Sequence, residues 1–313
     1  MSKLNVPSII LGGNVFGWSI DEKTSFDLLD AAIAGGLNCI DTADVYSHWS
    51  AGNTGGESET IIGKWMKQHG RRDDVIIHTK GGAPGAPGEL AGANLTAAYM
   101  SKAVENSLRR LQTDYIDLYY VHFDDKVTPP DETLKCFQRF IKQGKIRAIA
   151  ASNYEPGRLV QSLDAAKARG LPAFSALQTL YNLYDRAPFE KELQALCVER
   201  GIQVMSYFSL AKGFLSGKYR SPSDLGKSAA RGGGVAEYLN PRGHRILAAL
   251  DEVAADQKAT PAQVSLAWLK AKPGVAAAIA SATSTAQLNE LVAAAALRLD
   301  SAQIAQLDAA SVY

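Results

Sequence analysis

Six polar side chains stand at the ends of short apolar runs, and their types suit proton transfer. Asp41 ends NCID (38–41), Lys80 ends DVIIHTK (74–80) and His122 ends YIDLYYVH (115–122). Ser152 follows KIRAIAA (145–151), Gln178 ends FSALQ (174–178) and Tyr207 ends IQVMSY (202–207). Tyr46 lies five residues after Asp41. An unperturbed tyrosine has a pKa of about 10, too high for easy proton exchange at neutral pH. A neighbouring ammonium lowers that value, and a carboxylate keeps the ammonium charged. Tyr46 is therefore a candidate general acid, with Lys80 tuning it and Asp41 orienting Lys80. A neutral His122 would hydrogen-bond a carbonyl oxygen and fix its direction. No Ser–His nucleophile pair and no HxH or carboxylate cluster for a metal accompanies them. Proton delivery to a carbonyl, paired with hydride from a cofactor, is the reaction these groups suit.

Taken singly, each residue has a plainer role: Asp41 as a turn cap, Lys80 as a solvated strand end, His122 as a core histidine, Gln178 as a loop donor. Six in register after apolar runs are harder to assign that way, provided some architecture brings the strand ends together. The runs named above, with 275–280 and a first one near 8–12, read as eight strands. Between them the apolar residues change period. Phe26, Leu29 and Ile33 recur at three- and four-residue steps, as do Val104, Leu108, Leu111 and Leu134, Phe137, Ile141. Several of these segments stop at glycine, at Gly35-Gly36, Gly144, Gly170 and Gly201, as helix ends do. Strand–helix alternation implies a parallel sheet, and eight units favour a closed (β/α)8 TIM barrel over a doubly wound sheet. Residues 1–313 then form a single domain. Long loops at 47–56, 81–94 and 208–241 follow the second, third and seventh strands, on the C-terminal face where barrel enzymes keep their sites.

Composition narrows the alternatives. A net charge of +1, from 33 basic and 32 acidic residues without long runs of either, gives no electrostatic case for nucleic acid. No apolar stretch reaches membrane-spanning length, and the N-terminal one is too short for a signal peptide. The three cysteines, Cys39, Cys136 and Cys197, lie far apart and lack CxxC spacing, so a reducing, cytoplasmic location is expected. The run Gly12-Gly13-Asn14-Val15-Phe16-Gly17 fails the GxGxxG pattern because Asn14 takes the second glycine's place. Any nicotinamide cofactor must be held without a Rossmann fingerprint.

Over nearly its whole length the chain resembles the aldo-keto reductase superfamily. The matching motifs are DTADVY (41–46), HTK (78–80), YIDLYYVH (115–122), GKIRAIAASN (144–153), LQTLYNL (177–183) and YFSLAKGFLSGKY (207–219). The resemblance implies an NADP(H)-dependent reductase of aldehydes or ketones, with NAD(H) also usable and a small carbonyl compound as partner. Its catalytic set is Asp41, Tyr46, Lys80 and His122. It also implies that Ser152, Asn153 and Gln178 hydrogen-bond the nicotinamide carboxamide and that Tyr207 stacks on the ring. Gly13 and Asn14 approach the ribose. Ser209, Leu210, Ala211, Gly213 and Lys218 run along the pyrophosphate.

Two departures from the family stand out. Tyr207-Phe208-Ser209-Leu210 lacks the usual proline. After the eighth strand, where relatives place Lys or Arg for the 2′-phosphate, the chain offers only neutral groups such as Ser281, Thr283 and Gln287. Leu291 replaces an adenine-contacting asparagine. Phe16 and Trp49 are expected to wall the substrate pocket. Arg231 reads as a solvated loop charge, with reach to the cofactor phosphates as the alternative. Two other functions fit less well: a Schiff-base lyase using Lys80, and a cofactor-binding regulatory subunit resembling potassium-channel β subunits.

Overall fold

A computed structural model describes residues 4–85, 93–228 and 230–313. Of the glycine-rich loop at 81–94, residues 86–92 lie outside the described residues. The strands are β1 (Ile9–Gly12), β2 (Cys39–Asp41), β3 (Ile76–Gly81), β4 (Ile116–Val121), β5 (Ile146–Ser152), β6 (Ala176–Leu180), β7 (Gln203–Tyr207) and β8 (Val275–Ala280). They pair in sequence order, all parallel, and β8 returns to β1 to close a barrel. The expected strands agree with these within two residues at each end. Ser152 closes β5 instead of following it, because it pairs with Gln178 across the β5–β6 ladder. β6 likewise runs on to Leu180, which pairs with Tyr207.

Helices alternate with the strands: α1 (Glu22–Ala34), α2 (Glu57–His69), α3 (Ala97–Leu111), α4 (Pro130–Lys142) and α5 (Pro156–Arg169). Then come α6 (Ala187–Glu190), α7 (Leu193–Arg200), α8 (Pro241–Gln257), α9 (Pro261–Lys270), α10 (Thr285–Ala296) and α11 (Ser301–Ala310). Local sequence starts and stops them. Asp21 accepts from the Thr24 N–H at the head of α1, and prolines occupy the first turns of α4 and α5. Gly170 and Gly201 adopt φ of 61° and 67°, the left-handed conformation that ends α5 and α7.

Both faces of the sheet are covered, which is why the strands read as continuous apolar runs. Inside the barrel Ile10, Cys39, Leu118, Tyr120 and Met205 form one core. A larger core lies between sheet and helices, and the periodic residues Leu29, Val104, Leu111 and Phe137 all belong to it. The chain between β7 and α8 holds three short 3-10 turns, Ala211–Ser216, Pro222–Lys227 and Gly232–Tyr238. Among the described residues no helix is long and apolar enough to cross a membrane.

Candidate active site

The strand register brings the expected polar residues to one rim. Asp41 pairs with His78, two residues before Lys80, so carboxylate and ammonium meet across β2 and β3. Lys80 Nζ donates to Asp41 Oδ2 (2.6 Å), to the Thr42 carbonyl (2.7 Å) and to Tyr46 Oη (2.9 Å). An ammonium has three N–H groups, so all are committed. The other Asp41 oxygen accepts from Gln178 Nε2 at 2.8 Å. Tyr46 leaves β2 in a tight turn anchored by the next residue, whose hydroxyl, Ser47 Oγ, donates to the Phe16 carbonyl (2.7 Å). His122 follows β4 with its ring 6.2 Å from that of Tyr46, edge to face, and its Nδ1 has no partner among the described residues.

Burial dominates the electrostatics. It pushes the Tyr46 phenol above its ordinary pKa; Lys80 acts downward, as its charge requires, and Asp41 acts upward. The net upward direction differs from what the Lys80 contact alone predicts, since a sparsely hydrated phenolate costs more than one ammonium restores. Burial pulls Lys80 down, but Asp41 and Tyr46 together outweigh it and hold the ammonium above its usual value. His122 lies well below the ordinary histidine range, through burial first and Lys80 second, so its ring is neutral.

These residues open into a cavity of about 1130 Å³ at the C-terminal face. Asn14, Ser152, Asn153, Gln178, Tyr207, Ser209, Leu210, Gly213, Lys218, Ser281, Thr283 and Gln287 line it, as does Trp49. Gly13 and Ala211 do not. Gly13 is buried against the Asp41 carbonyl and Ser58 Oγ, where a Cβ would stand 3.1 Å from each, and Ala211 is fully buried in the wall. Phe16 is a correction: fully buried, it joins the outer core, and Trp18 takes the expected place on the cavity wall. The turn after β1 aims Trp18 at Trp49, ring edge to ring at 5.4 Å. Leu291 is also in the core and does not line the cavity.

Two of the amides that line the cavity also bond within the protein. Asn153 Nδ2 donates to the His122 carbonyl and to Ser152 Oγ (both 3.1 Å), while its Oδ1 accepts from Tyr207 Oη at 2.8 Å. Gln178 spends an N–H on Asp41. After β8, Ser281 Oγ donates to Asn14 Oδ1 (2.6 Å), and Gln287 Oε1 accepts from the Thr283 N–H (2.8 Å) and hydroxyl (3.1 Å). The sequence reading missed Phe123 and Phe208 on the rim, although each adjoins a residue it singled out. Arg231 also lines the cavity and is not a solvated loop charge.

Of the described residues lining the cavity, Asp41 is the sole carboxylate, and it is tied to Lys80; Lys212, Lys218 and Arg231 supply positive charge. Lys212 is paired with Glu237 at 2.7 Å. Such a cleft suits an anionic guest. Among the described residues no three His, Cys, Asp or Glu side chains gather as metal ligands.

Comparison with known proteins shows the family to which the chain belongs. The model of the Aldo/keto reductase family matches residues 8–312. A Bacillus subtilis protein named uncharacterized oxidoreductase YrpG is 33% identical over 304 residues, 95% of this chain and 90% of its own. Aldo-keto reductase YhdN, also from Bacillus subtilis, is 32% identical over 93% of this chain and 84% of its own. The crystal structure of an aldo/keto reductase from Klebsiella pneumoniae, in complex with NADP and acetate, superposes with a TM-score of 0.72 at 29% identity. It covers 97% of this chain and 91% of that one.

Proposed function

Because the chain belongs to the aldo/keto reductase family, and is thus an oxidoreductase, we propose that it reduces aldehydes or ketones with NADPH, Tyr46 giving the proton. The observation that carries this is the buried relay Asp41–Lys80–Tyr46, held at 2.6 and 2.9 Å. A carbonyl oxygen beside Tyr46 and neutral His122 receives a hydrogen bond from each. As the proton leaves Tyr46, Lys80 faces the forming phenolate and stabilises it, and Asp41 fixes the Lys80 charge. Trp18, Trp49, Phe123 and Phe208 give the pocket an aromatic wall for the rest of the acceptor.

The cavity fits a nicotinamide dinucleotide, whose chemical contribution when bound is hydride. Ser152 and Tyr207 would hold its ring, Asn14 the adjoining ribose, and Ser209 to Lys218 its phosphates. Positive φ at Ala211, Lys212 and Gly213 turns the chain sharply along that wall. The relative with NADP bound supports the choice of cofactor. A Schiff-base role for Lys80 is disfavoured, since a nucleophilic amine needs a lowered pKa and free lone pair. Three buried free cysteines, Cys39, Cys136 and Cys197, favour a reducing cell interior.

The test is NADPH consumption with a panel of aldehydes by the wild type and Tyr46→Phe. Phe keeps the ring but has no proton to give, so turnover should fall at least about 10²–10⁴-fold while NADPH binding persists. Near-normal turnover by the variant would remove Tyr46 from the mechanism.

A further inference from the structure

The barrel holds one hydroxyl that neither packing nor the four catalytic candidates account for. β4 carries two adjacent tyrosines, and strand alternation sends them to opposite faces of the sheet. Tyr119 joins the core beneath the helices and Tyr120 the core inside the barrel. In that inner core β5, β6 and β8 supply Ala150, Ala176 and Ala277, so a large ring fills the space they leave. Phenylalanine would fill it as well. The hydroxyl instead brings a polar atom into an apolar bore. Tyr120 is fully buried, and its Oη has no hydrogen-bond partner among the described residues. Such a group is costly to bury.

Its position gives the hydroxyl a use. Tyr120 pairs with Lys80 across β3 and β4, and Lys80 Nζ lies 5.9 Å from its ring centre. Burial pushes the phenol well above its ordinary pKa, so it keeps its proton. The next influence is the charge of Asp41, which acts in the same direction, as Cys39 and Tyr46 do; the Gln178 amide acts the other way. Asp41 and Gln178 are themselves bonded, at 2.8 Å. His78, its ring 5.9 Å from that of Tyr120, is held down at about 4 by burial, and burial pushes the Cys39 thiol well above its usual value. Neither changes charge near neutral pH. We propose that Tyr120 is a positioning residue for carbonyl reduction, its hydroxyl supporting from inside the barrel the Gln178–Asp41 pair that holds Lys80 against Tyr46. This rests on the reductase reading above. A phenol O–H beside a carboxylate turns its hydrogen toward the negative charge and offsets part of it. Asp41 opposes release of the Tyr46 proton, so a hydroxyl that tempers Asp41 eases that release.

In Tyr120→Phe the ring stays and only the hydroxyl goes. Tm should stay level or rise, because an unpartnered polar atom leaves the core. The pH profile of alcohol oxidation with NADP⁺ should nevertheless move toward alkali by about 0.5–1 unit. Aldehyde reduction should lose about 3- to 10-fold in kcat, with KM for NADPH unchanged. Tyr119→Phe is the control. It too removes a buried hydroxyl without a partner among the described residues, but on the helix-facing side of β4, and it should leave the profile alone. A second measurement reads Tyr46 without turnover. Tyrosinate absorbance is titrated in the NADP⁺ complexes of the wild type, Tyr46→Phe, Tyr120→Phe and the double variant, at pH values where circular dichroism shows all four folded. The difference within each pair isolates Tyr46, and its titration should move by the same amount as the profile. A profile and a Tyr46 titration that both stay put, or move toward acid, overturn the proposal. So does an equal shift in Tyr119→Phe. Absence of turnover in the wild type would instead count against the reductase reading, and the titration would still decide the role of Tyr120.

Discussion

At the scale of the residue, Tyr46 is set by two opposed effects. Burial keeps its proton on, which is the state a reductive acid needs, and Lys80 limits how strongly it is held. Removing the ammonium leaves burial unopposed. In Lys80→Met the pH profile of alcohol oxidation, which requires the phenolate, should therefore move toward alkali. A profile that stays put would detach Lys80 from the tyrosine. Asp44, in the same turn, carries a second pH signature. Burial first, and Glu59 second, push its carboxyl up to about 8, and its Oδ1 has no hydrogen-bond partner among the described residues. A carboxyl raised on folding contributes stability below about pH 4, the unfolded value, and that contribution is lost as pH climbs through 8. Asp44→Asn lacks this loss. Its Tm minus that of the wild type should grow between pH 5 and 8, by up to about 1.4 kcal/mol of stability per pH unit. A difference independent of pH would show that Asp44 is ionised in the folded protein.

At the scale of the element, the segment after β8 is where, on the proposed reading, a 2′-phosphate would be held. From Ala276 to Leu297 there is no lysine or arginine. Ser281, Thr283 and Gln287 are hydrogen-bonded to Asn14 and to one another, so they offer neutral donors already partly occupied. A charge-assisted bond contributes about 1.5–3 kcal/mol, and two missing ones remove much of the usual discrimination. NADPH is expected to be preferred over NADH by less than about 10³-fold in kcat/KM with one aldehyde at fixed ionic strength. A larger preference would point to another cation, with Lys218, exposed on the cavity rim, the first to substitute.

At the scale of the whole molecule, the site is assembled from the entire circumference. Asn14 follows β1, Asp41 ends β2, His122 follows β4, Tyr207 ends β7 and Ser281 follows β8. A guest in that cavity ties distant parts of one barrel, which we read as a single domain. Saturating NADP⁺ should therefore raise Tm by several degrees within a single unfolding transition. A hundredfold excess over Kd contributes about 2.7 kcal/mol. Two transitions, or a shift in only one of them, would divide the chain into separately stable parts.

The eight strands and the relay Asp41–Lys80–Tyr46 were legible in the sequence for a physical reason. Strands buried on both faces must be apolar runs, and a polar residue closing such a run marks the rim without knowledge of the fold. Helix ends were legible because glycine and capping residues act locally. The places of Phe16 and Trp18 were not. They lie two residues apart in one turn, and only the path of that turn sends one into the core and the other to the cavity. The net direction of the Tyr46 pKa was also beyond the sequence, because spacing reveals a charged neighbour but not the loss of water. Arg231 shows the same limit most fully. Its loop has no periodicity to read, and its meeting with Trp18, 213 positions earlier in the chain, exists only once the barrel has closed and brought the loops after β1 and β7 together.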